Sequence, residues 1–143
     1  MDAEQLQQPI TELNIYRPIV VASDSPARDA IEKMKKGRGG SVLIVDEDGA
    51  LLGIFTERDA LNKLFQQGNK SLDQPISNVM TARPTTLHMD DSIVYALHHM
   101  HVGGYRHIPL IDDDRKPAFV VSVRSMVDYL AQRLEAHELG ESK

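Results

Sequence analysis

The amino-acid sequence predicts a mixed α/β (α+β) fold in which two β-α-β-β-α repeats pack sheet to sheet with pseudo-twofold symmetry. Two observations predict it. A shift of 66 positions, which carries Pro18 onto Pro84, aligns one half of the chain with the other, and both halves show the same order of apolar patterns. A repeat of this size buries only about 60% of the surface that its unfolded chain exposes, so we expect the two repeats to share one core.

The internal repeat is visible in identities as well as in residue classes. The shift aligns the two halves over 57 positions without a gap and gives 13 identities. The longest run of identities pairs Gln8-Pro9-Ile10 with Gln74-Pro75-Ile76. We therefore predict a first repeat at residues 8–70 and a second repeat at residues 74–137, joined by a polar, turn-prone stretch.

The elements of the first repeat follow from its local patterns. Ser25 is a favourable helix N-cap, and Pro26 suits the first helical position, where its missing N–H costs nothing. Apolar residues then recur every three or four positions until Gly37, a residue type that commonly ends helices. An acidic turn then separates two apolar runs, which is typical of a hairpin. The predicted elements are a strand near Ile19–Val21, a helix up to Gly37, strands at Val42–Val45 and Leu51–Phe55, and a closing helix at Glu57–Gln67.

The second repeat shows the same succession. Its helical stripe ends at Gly103-Gly104, and a second acidic turn joins its two hairpin strands. The predicted elements are a strand near Thr85–Leu87, a helix with Ile93, Ala96, Leu97 and Met100 on its apolar face, strands at Ile108–Ile111 and Ala118–Val121, and a closing helix at Arg124–Glu135. Two repeats packed in this way leave two pseudo-symmetric clefts between them, and clefts of this kind are where ligands bind.

Composition excludes several classes of protein. The chain has no cysteine, which excludes disulfide scaffolds, thiolate nucleophiles and cysteine-ligated zinc. A net charge of −5 argues against a surface for a nucleic acid duplex, because such surfaces are normally basic. Its apolar runs are far shorter than the ~20 residues that cross a bilayer. We therefore predict a cytoplasmic protein that binds a partner or a small molecule and contacts neither a duplex nor a membrane.

Two motifs carry a resemblance to a known family. Val79-Met80-Thr81 precedes a predicted strand, and the segment from Gly53 to Asp59 follows the pattern Gly-h-x-Thr/Ser-x-x-Asp/Asn at a strand-to-helix junction. Together with the repeat, they resemble a tandem pair of cystathionine-β-synthase (CBS) domains, called a Bateman module. The resemblance implies a regulatory module without catalytic activity or an obligatory cofactor. It also implies an adenosine-containing ligand, namely AMP, ADP or ATP, with S-adenosylmethionine and NAD as alternatives, and a separate effector protein.

Thr56 and Asp59 suit a ligand site on physical grounds. Thr56 lies where a strand ends and a helix begins, so its hydroxyl and the free N–H groups there can donate to a phosphate. Asp59 lies one turn further on and can accept hydrogen bonds from both hydroxyls of a ribose, while Gly53 allows a close backbone approach. The same pair also suits a capping box, which we expect in addition.

The resemblance assigns the opposite wall of this cleft to the second repeat. It implies that four consecutive residues lie beside the base and three near the phosphates. Arg106 would bind a phosphate through two hydrogen bonds and His107 would add a further donor. The alternatives are a solvent-exposed cation for Arg106 and a half-buried structural histidine for His107. The residues assigned in this way are Ala82, Arg83, Pro84 and Thr85 beside the base, and Tyr105, Arg106 and His107 near the phosphates.

The second cleft departs from this pattern. At the positions equivalent to Gly53, Thr56 and Asp59 it has a bulky phenylalanine and two serines, and a serine cannot bind a ribose diol as a carboxylate does. We therefore predict one functional cleft and one that is degenerate or empty. The residues assigned to the degenerate cleft are Arg17, Pro18, Ser41, Ser122, Arg124 and Ser125, with Phe119 at the glycine position and Arg38 as a further cation.

Other functions have weaker support. His98 and His101 have the spacing of a metal-binding pair, but His99 points elsewhere and no carboxylate completes a site, so we predict a solvated helix face and no metal. The acidic turns suit weak binding of a divalent cation, and no hydrolase or phosphate-loop motif is present. A ligand-free scaffold for protein association remains the alternative function. We also predict a homodimer formed through an apolar stripe at Met126, Val127, Leu130 and Leu134.

Overall fold

The computed structural model describes residues 3–37 and 39–138. The helices are, in chain order, α1 (Ala3–Leu6), α2 (Ala27–Lys36), α3 (Glu57–Asp59), α4 (Ile93–Gly103) and α5 (Val123–Glu138). The strands are β1 (Val20–Ala22), β2 (Ser41–Val45), β3 (Leu51–Thr56), β4 (Thr81–Ala82), β5 (His107–Ile111) and β6 (Pro117–Ser122). No helix in the described ranges is long and apolar enough to cross a membrane.

The strands form two sheets, and the first of them takes its edge strand β4 from the second repeat. The first sheet has the order β1-β2-β3-β4, with β1 parallel to β2 and the other pairs antiparallel. The second sheet consists of the antiparallel hairpin β5-β6, to which Leu87 adds a single parallel bridge with Leu110. This arrangement confirms the predicted α+β fold of two similar repeats.

The predicted strand near Thr85–Leu87 is wrong, and Pro109 explains why. In the first repeat the Leu43 N–H donates to the carbonyl of Ile19 and extends the parallel ladder. Pro109 stands at the position equivalent to Leu43 and has no N–H to donate to Thr85. The ladder in the second repeat is therefore reduced to Leu87, whose N–H donates to the Pro109 carbonyl.

Helix starts also differ from the prediction. Ser25 does not cap α2, because Pro26 is the N-cap residue and no side chain caps this end. The Ser25 carbonyl accepts a hydrogen bond from the Ile76 N–H at 2.7 Å instead. In the second repeat Ser92 takes the position equivalent to Pro26, and its hydroxyl caps α4 by accepting from the Tyr95 N–H at 3.2 Å.

The closing helix of the first repeat is interrupted rather than continuous over Glu57–Gln67. The short helix α3 passes directly into a π-helical turn at Ala60–Leu64, closed by a hydrogen bond from the Phe65 N–H to the Ala60 carbonyl. The closing helix of the second repeat, α5, begins one residue before the predicted Arg124 and is a regular α-helix.

The two repeats exchange their leading segments. The Ala27 N–H at the start of α2 donates to the Gln74 carbonyl, and the Ile93 N–H at the start of α4 donates to the Gln8 carbonyl. These two bonds are related by the same shift of 66 positions. Ile10 is consequently buried in the core of the second repeat and Ile76 in the core of the first. The segment at the start of the first repeat thus packs in the core of the second, and the segment at the start of the second repeat packs in the core of the first.

A third apolar cluster joins the two sheets. Its buried residues come from β2 and β3 of the first repeat and from β5 and β6 of the second. The Tyr16 backbone forms two hydrogen bonds with Val120 across this boundary. The shared core fixes the two β3–α3 and β6–α5 junctions relative to the opposite repeat, and so defines the two clefts. The buried members of this cluster are Leu43, Leu51, Ile54, Ile111 and Val120.

Candidate functional site

The first cleft contains the junction between β3 and α3, where Thr56 and Asp59 form a reciprocal cap. The Asp59 N–H donates to Thr56 Oγ1 at 3.2 Å, and the Thr56 N–H donates to Asp59 Oδ2 at 3.0 Å. The Thr56 hydroxyl also donates to Asp59 Oδ2 at 3.2 Å. The predicted capping box is therefore present, and it holds the carboxylate in a fixed orientation at the end of a strand.

The other oxygen of this carboxylate is held by Lys63, which sequence reasoning missed, and by Thr81, which it quoted in a motif but did not assign to the ligand site. Lys63 Nζ lies 3.3 Å from Asp59 Oδ1, and the Thr81 hydroxyl donates to the same oxygen at 3.4 Å. Only 14% of the Asp59 side chain is exposed. The spacing of four residues between Asp59 and Lys63 on a predicted helix was the available sequence signal for the pair.

A cavity of about 640 Å³ lies between the β3–α3 junction and the second repeat. Nine of the ten residues predicted for the ligand site line it, together with residues that were not predicted. The predicted residues in the wall are Thr56, Asp59, Ala82, Arg83, Pro84, Thr85, Tyr105, Arg106 and His107. The additional ones are Ile54, Glu57, Arg58, Thr81, Gly103 and Gly104.

Gly53 is the exception, because it does not line the cavity. A side chain at this position would collide with the Thr81 carbonyl, 2.8 Å from the place of a Cβ atom, and with Met80. Gly53 pairs with Ala82 in the sheet. The close approach that requires this glycine is therefore that of the chain's own β4, and not that of a ligand.

Backbone geometry brings the opposite wall to the cleft. Gly104 ends α4 in the left-handed conformation, with φ of 69°, and the chain then turns through Tyr105 and Arg106 into β5. Arg83 also has a positive φ, 50°, and its N–H donates to the Leu52 carbonyl at 3.1 Å. A positive φ at a residue other than glycine is unusual and places the Arg83 side chain at the cavity wall.

The charges of the cavity wall favour an anionic ligand in a chain of net charge −5. Three arginines, Arg58, Arg83 and Arg106, line the cavity with two carboxylates, Glu57 and Asp59. Lys63 pairs with Asp59 from outside the wall, so the net charge around the cavity is more positive than the wall residues alone indicate. Arg58 and Glu57 lie inside the quoted motif, but the sequence alone did not distinguish them from solvated helix residues.

His107 lies at the far end of the first cleft. Burial lowers the pKa of its imidazole; a hydrogen bond to the Gly39 carbonyl and the charge of Glu57 raise it, and the Arg106 guanidinium lowers it. Because the net effect is a lowered pKa, the imidazole of His107 is neutral at pH 7. Its single N–H is the one that donates to the Gly39 carbonyl, so its other nitrogen is an acceptor. Glu57, Arg106 and His107 also line a larger neighbouring cavity of about 1020 Å³.

The residues predicted for the second cleft do not form one site. Ser122, Arg124 and Ser125 line the cavity of about 1020 Å³. Arg17, Pro18 and Ser41 line a separate cavity of about 170 Å³. Tyr16 lines both cavities and lies between the two groups, and Arg38 lies outside the described residues.

Tyr16 aligns with Ala82 under the shift of 66 positions, but it pairs with Val120, whereas the equivalent Ile54 pairs with Thr81. The Tyr16 hydroxyl donates to the Gly39 carbonyl at 3.3 Å and has a hydrogen bond with Ser122, and the Tyr16 ring lies where a side chain of Gly39 would point. Burial raises the pKa of this hydroxyl, and the bond with Ser122 lowers it in part. The ring therefore fills part of the second cleft, and sequence reasoning missed it although Tyr16 aligns with Ala82.

Several of the polar side chains predicted for the second cleft contact other residues of the protein. Ser122 and Ser125 are buried and cap each other's N–H groups, at 3.1 and 3.2 Å. The guanidinium of Arg17 lies 5.4 Å from the centre of the Phe119 ring. Arg124 pairs with Asp128 at 3.3 Å on the exposed face of α5. The degenerate character of the second cleft stays a prediction.

Comparison with known families decides the relationship of the chain. A family model described as the CBS domain matches residues 10–66 and again residues 76–132. The chain belongs to the CBS domain family. The tandem pair predicted from the sequence is therefore confirmed, and each match contains one of the two β-α-β-β-α repeats.

Curated relatives of this CBS pair include proteins of very different length. An Arabidopsis thaliana CBS domain-containing protein, CBSCBSPB5, is 25% identical over 136 residues, which cover 95% of this chain and 25% of the relative. A 17.7 kDa protein of Acidianus ambivalens is 27% identical over 134 residues, which cover 94% of this chain and 78% of that protein. The chain thus spans about a quarter of the Arabidopsis relative.

Solved structures show the same fold. A CBS domain protein of Pyrobaculum aerophilum complexed with AMP has a TM-score of 0.77 and 22% identity, and the match covers 91% of this chain and 98% of that one. The CBS domain pair of protein MJ0100, in complex with 5′-methylthioadenosine and S-adenosyl-L-methionine, has a TM-score of 0.79 and 23% identity, with 88% and 98% covered. At these identities the likeness establishes the fold of the CBS pair.

The histidines of α4 form no metal site in the described ranges. His98 and His101 are exposed, and His99 contacts Tyr95 edge to face with ring centres 4.5 Å apart. No group of three potential metal ligands occurs among the described residues. The acidic turns use their carboxylates locally, since Asp46 Oδ1 accepts from the N–H groups of Asp48 and Ala50.

Proposed function

We propose that this CBS pair is a regulatory module that binds one adenosine-containing ligand in the first cleft and signals to a separate effector protein. The observation that carries the proposal is the fixed carboxylate of Asp59 in a cavity of about 640 Å³, opposite Arg106 and His107. A volume in this range suits a nucleotide-sized ligand. The repeats at residues 8–70 and 74–137 contribute one wall each.

Each part of the proposed ligand has matching chemistry in the wall. Ile54, Ala82 and Pro84 offer an apolar surface for a planar base. Asp59 is the proposed acceptor for ribose hydroxyls, which would replace the Thr56 and Thr81 hydroxyls that donate to its two oxygens in this structure. Arg106, as a guanidinium, is the donor for phosphate oxygens. Neutral His107 would add a donor only if its single N–H left the Gly39 carbonyl.

The proposed ligand class is AMP, ADP or ATP, with S-adenosylmethionine and NAD as alternatives. Related proteins support the class in general, since the Pyrobaculum structure contains AMP and the MJ0100 structure contains two adenosine derivatives without phosphate. The three arginines of the wall favour a phosphorylated ligand over a sulfonium cation. No catalytic role and no obligatory cofactor are part of this proposal, and the cytoplasmic location remains a prediction.

We further propose a homodimer formed through the closing helices. Val127, Leu130 and Leu134 on α5 are 50%, 47% and 65% exposed, whereas the predicted fourth member of the stripe, Met126, is buried in the core. The closing segment of the first repeat adds exposed Phe65. Sedimentation equilibrium tests this proposal, because Leu134→Glu would shift a dimer toward the monomer and would leave a monomer unchanged.

The alternative is a ligand-free scaffold for protein association, which needs the shape of the pair but no occupied cleft. Calorimetric titration of the native chain with AMP, ADP, ATP, S-adenosylmethionine and NADH separates the two functions. A binding isotherm with at least one of these that Asp59→Ala abolishes supports the sensor. Absence of binding for all five overturns it and leaves the scaffold. Asp113→Ala, in an exposed turn, is the matched control.

A further inference from the structure

We propose that Lys63 is a positioning residue of the first cleft that neutralises the Asp59 carboxylate from outside the cavity. This inference deepens the proposed function and rests on it. Such a residue is needed because the carboxylate proposed to bind the ribose lies in the same cavity as the proposed anionic ligand. An unpaired carboxylate at short range would repel phosphate and weaken binding.

The contacts of Lys63 place its charge behind the carboxylate. Its ammonium group lies 3.3 Å from Asp59 Oδ1, donates to the Val79 carbonyl at 3.0 Å and lies 3.5 Å from Thr81 Oγ1. Asp59 and Thr81 line the cavity, but Lys63 does not. Lys63 therefore acts through Asp59 and does not touch the ligand itself.

The local fold explains how a lysine reaches this position. Lys63 lies in the π-helical turn that follows α3, four residues beyond Asp59. π-Helical turns are rare and occur frequently at functional sites. The Lys63 side chain is 36% exposed and that of Asp59 is 14% exposed, so the pair is shielded from water more than an ordinary surface ion pair.

The second repeat supports a role linked to the ligand. The positions equivalent to Asp59 and Lys63 are Ser125 and Tyr129, which are 1% and 3% exposed and carry no charge. The second repeat thus has no ion pair at these two positions of its closing helix. The carboxylate and the ammonium group occur together in the first cleft and are replaced together in the second, as expected if the lysine serves the carboxylate.

The test compares AMP with uncharged adenosine in calorimetric titrations of the native chain, Lys63→Met and Lys63→Arg. We expect Lys63→Met to weaken AMP binding about tenfold but adenosine binding less than about threefold, because only AMP is repelled by the uncovered carboxylate. Lys63→Arg keeps the positive charge and should restore the affinity for AMP. Lys36→Met, on the exposed face of α2, is the matched control.

Each other outcome overturns the inference. An equal loss for both ligands would assign Lys63 a purely structural role, and unchanged AMP binding would assign it none. If the native chain binds neither ligand, the proposed function fails and this inference fails with it. If the native chain binds AMP and Lys63→Met binds it equally well, only this inference is overturned. Lys63→Gln, which retains hydrogen-bonding capacity, replaces Lys63→Met if that variant does not fold.

Discussion

The two clefts of this CBS pair are built on equivalent backbones, yet only the first has a carboxylate at its strand-to-helix junction, where the second has a serine. At one pair of positions aligned by the repeat the first cleft has Ala82 and the second has Tyr16, whose ring lies in the second cleft and whose hydroxyl donates to the Gly39 carbonyl. The repeated fold fixes where the clefts lie. A few side chains then determine which charged and polar groups each cleft offers to a ligand.

The strand-to-helix junctions teach a second lesson. Thr56 and Asp59 cap each other's N–H groups at 3.0 and 3.2 Å, and Ser122 and Ser125 do the same at 3.1 and 3.2 Å. The cap therefore needs only an oxygen at each position, and two serines provide it. Because the cap survives without a carboxylate, capping alone does not account for Asp59 in the first cleft.

The largest effect is expected from giving the first cleft the tyrosine of the second. Ala82→Tyr should lower the affinity for AMP about thirtyfold or more, because the ring would occupy the space of the base. Calorimetry measures the affinity, and Ala82→Ser is the small control. Undiminished binding by Ala82→Tyr would show that the base lies elsewhere and would remove the central difference between the clefts.

The reverse change tests what closes the second cleft. Tyr16→Ala removes a largely buried ring and its hydroxyl contacts, so the free energy of unfolding should fall by about 2 kcal/mol in urea denaturation. The number of AMP molecules bound per chain should not rise, because Ser125 still replaces the carboxylate. A second bound AMP of similar affinity would mean that the tyrosine alone separates the two clefts.

The smallest effect concerns pH and His107. Burial lowers the pKa of His107, so the unfolded chain takes up a proton on the imidazole at a higher pH than the folded chain. The contribution of neutral His107 to the free energy of unfolding should therefore be complete above about pH 6.5. It should decrease as the pH falls from there through the lower pKa of the folded state. Urea unfolding between these limits should show a weaker pH dependence in His107→Gln; an unchanged slope would contradict the burial of this side chain.

Much of the fold was predictable because the same pattern occurs twice. The 66-residue shift identified both repeats, and glycines and apolar periodicity located the helices and hairpins. What failed depends on contacts between distant segments. Pro109 shortens the parallel ladder because proline has no N–H at the position where the ladder needs a donor. The Ser25 carbonyl accepts a hydrogen bond from the Ile76 N–H of the other repeat.

The candidate site was predictable in part for a similar reason. The motif around Thr56 and Asp59 has a local physical basis, so its geometry followed from the sequence. Lys63 and Tyr16 were missed because their roles depend on which side chain faces the cleft, which only the packing of the two repeats determines. Gly53 was assigned to a ligand because a glycine signals close approach without naming what approaches.

The central claim is that one adenosine-containing ligand binds in the first cleft, and calorimetric stoichiometry with AMP tests it most directly. The most informative variant is Asp59→Ser, which installs the residue of the second cleft and, as Ser125 shows, can retain the helix cap. We predict one AMP per native chain and at least about tenfold weaker binding for Asp59→Ser, with Asp113→Ser unchanged. Two AMP molecules per chain, or equal affinity in Asp59→Ser, would contradict the account.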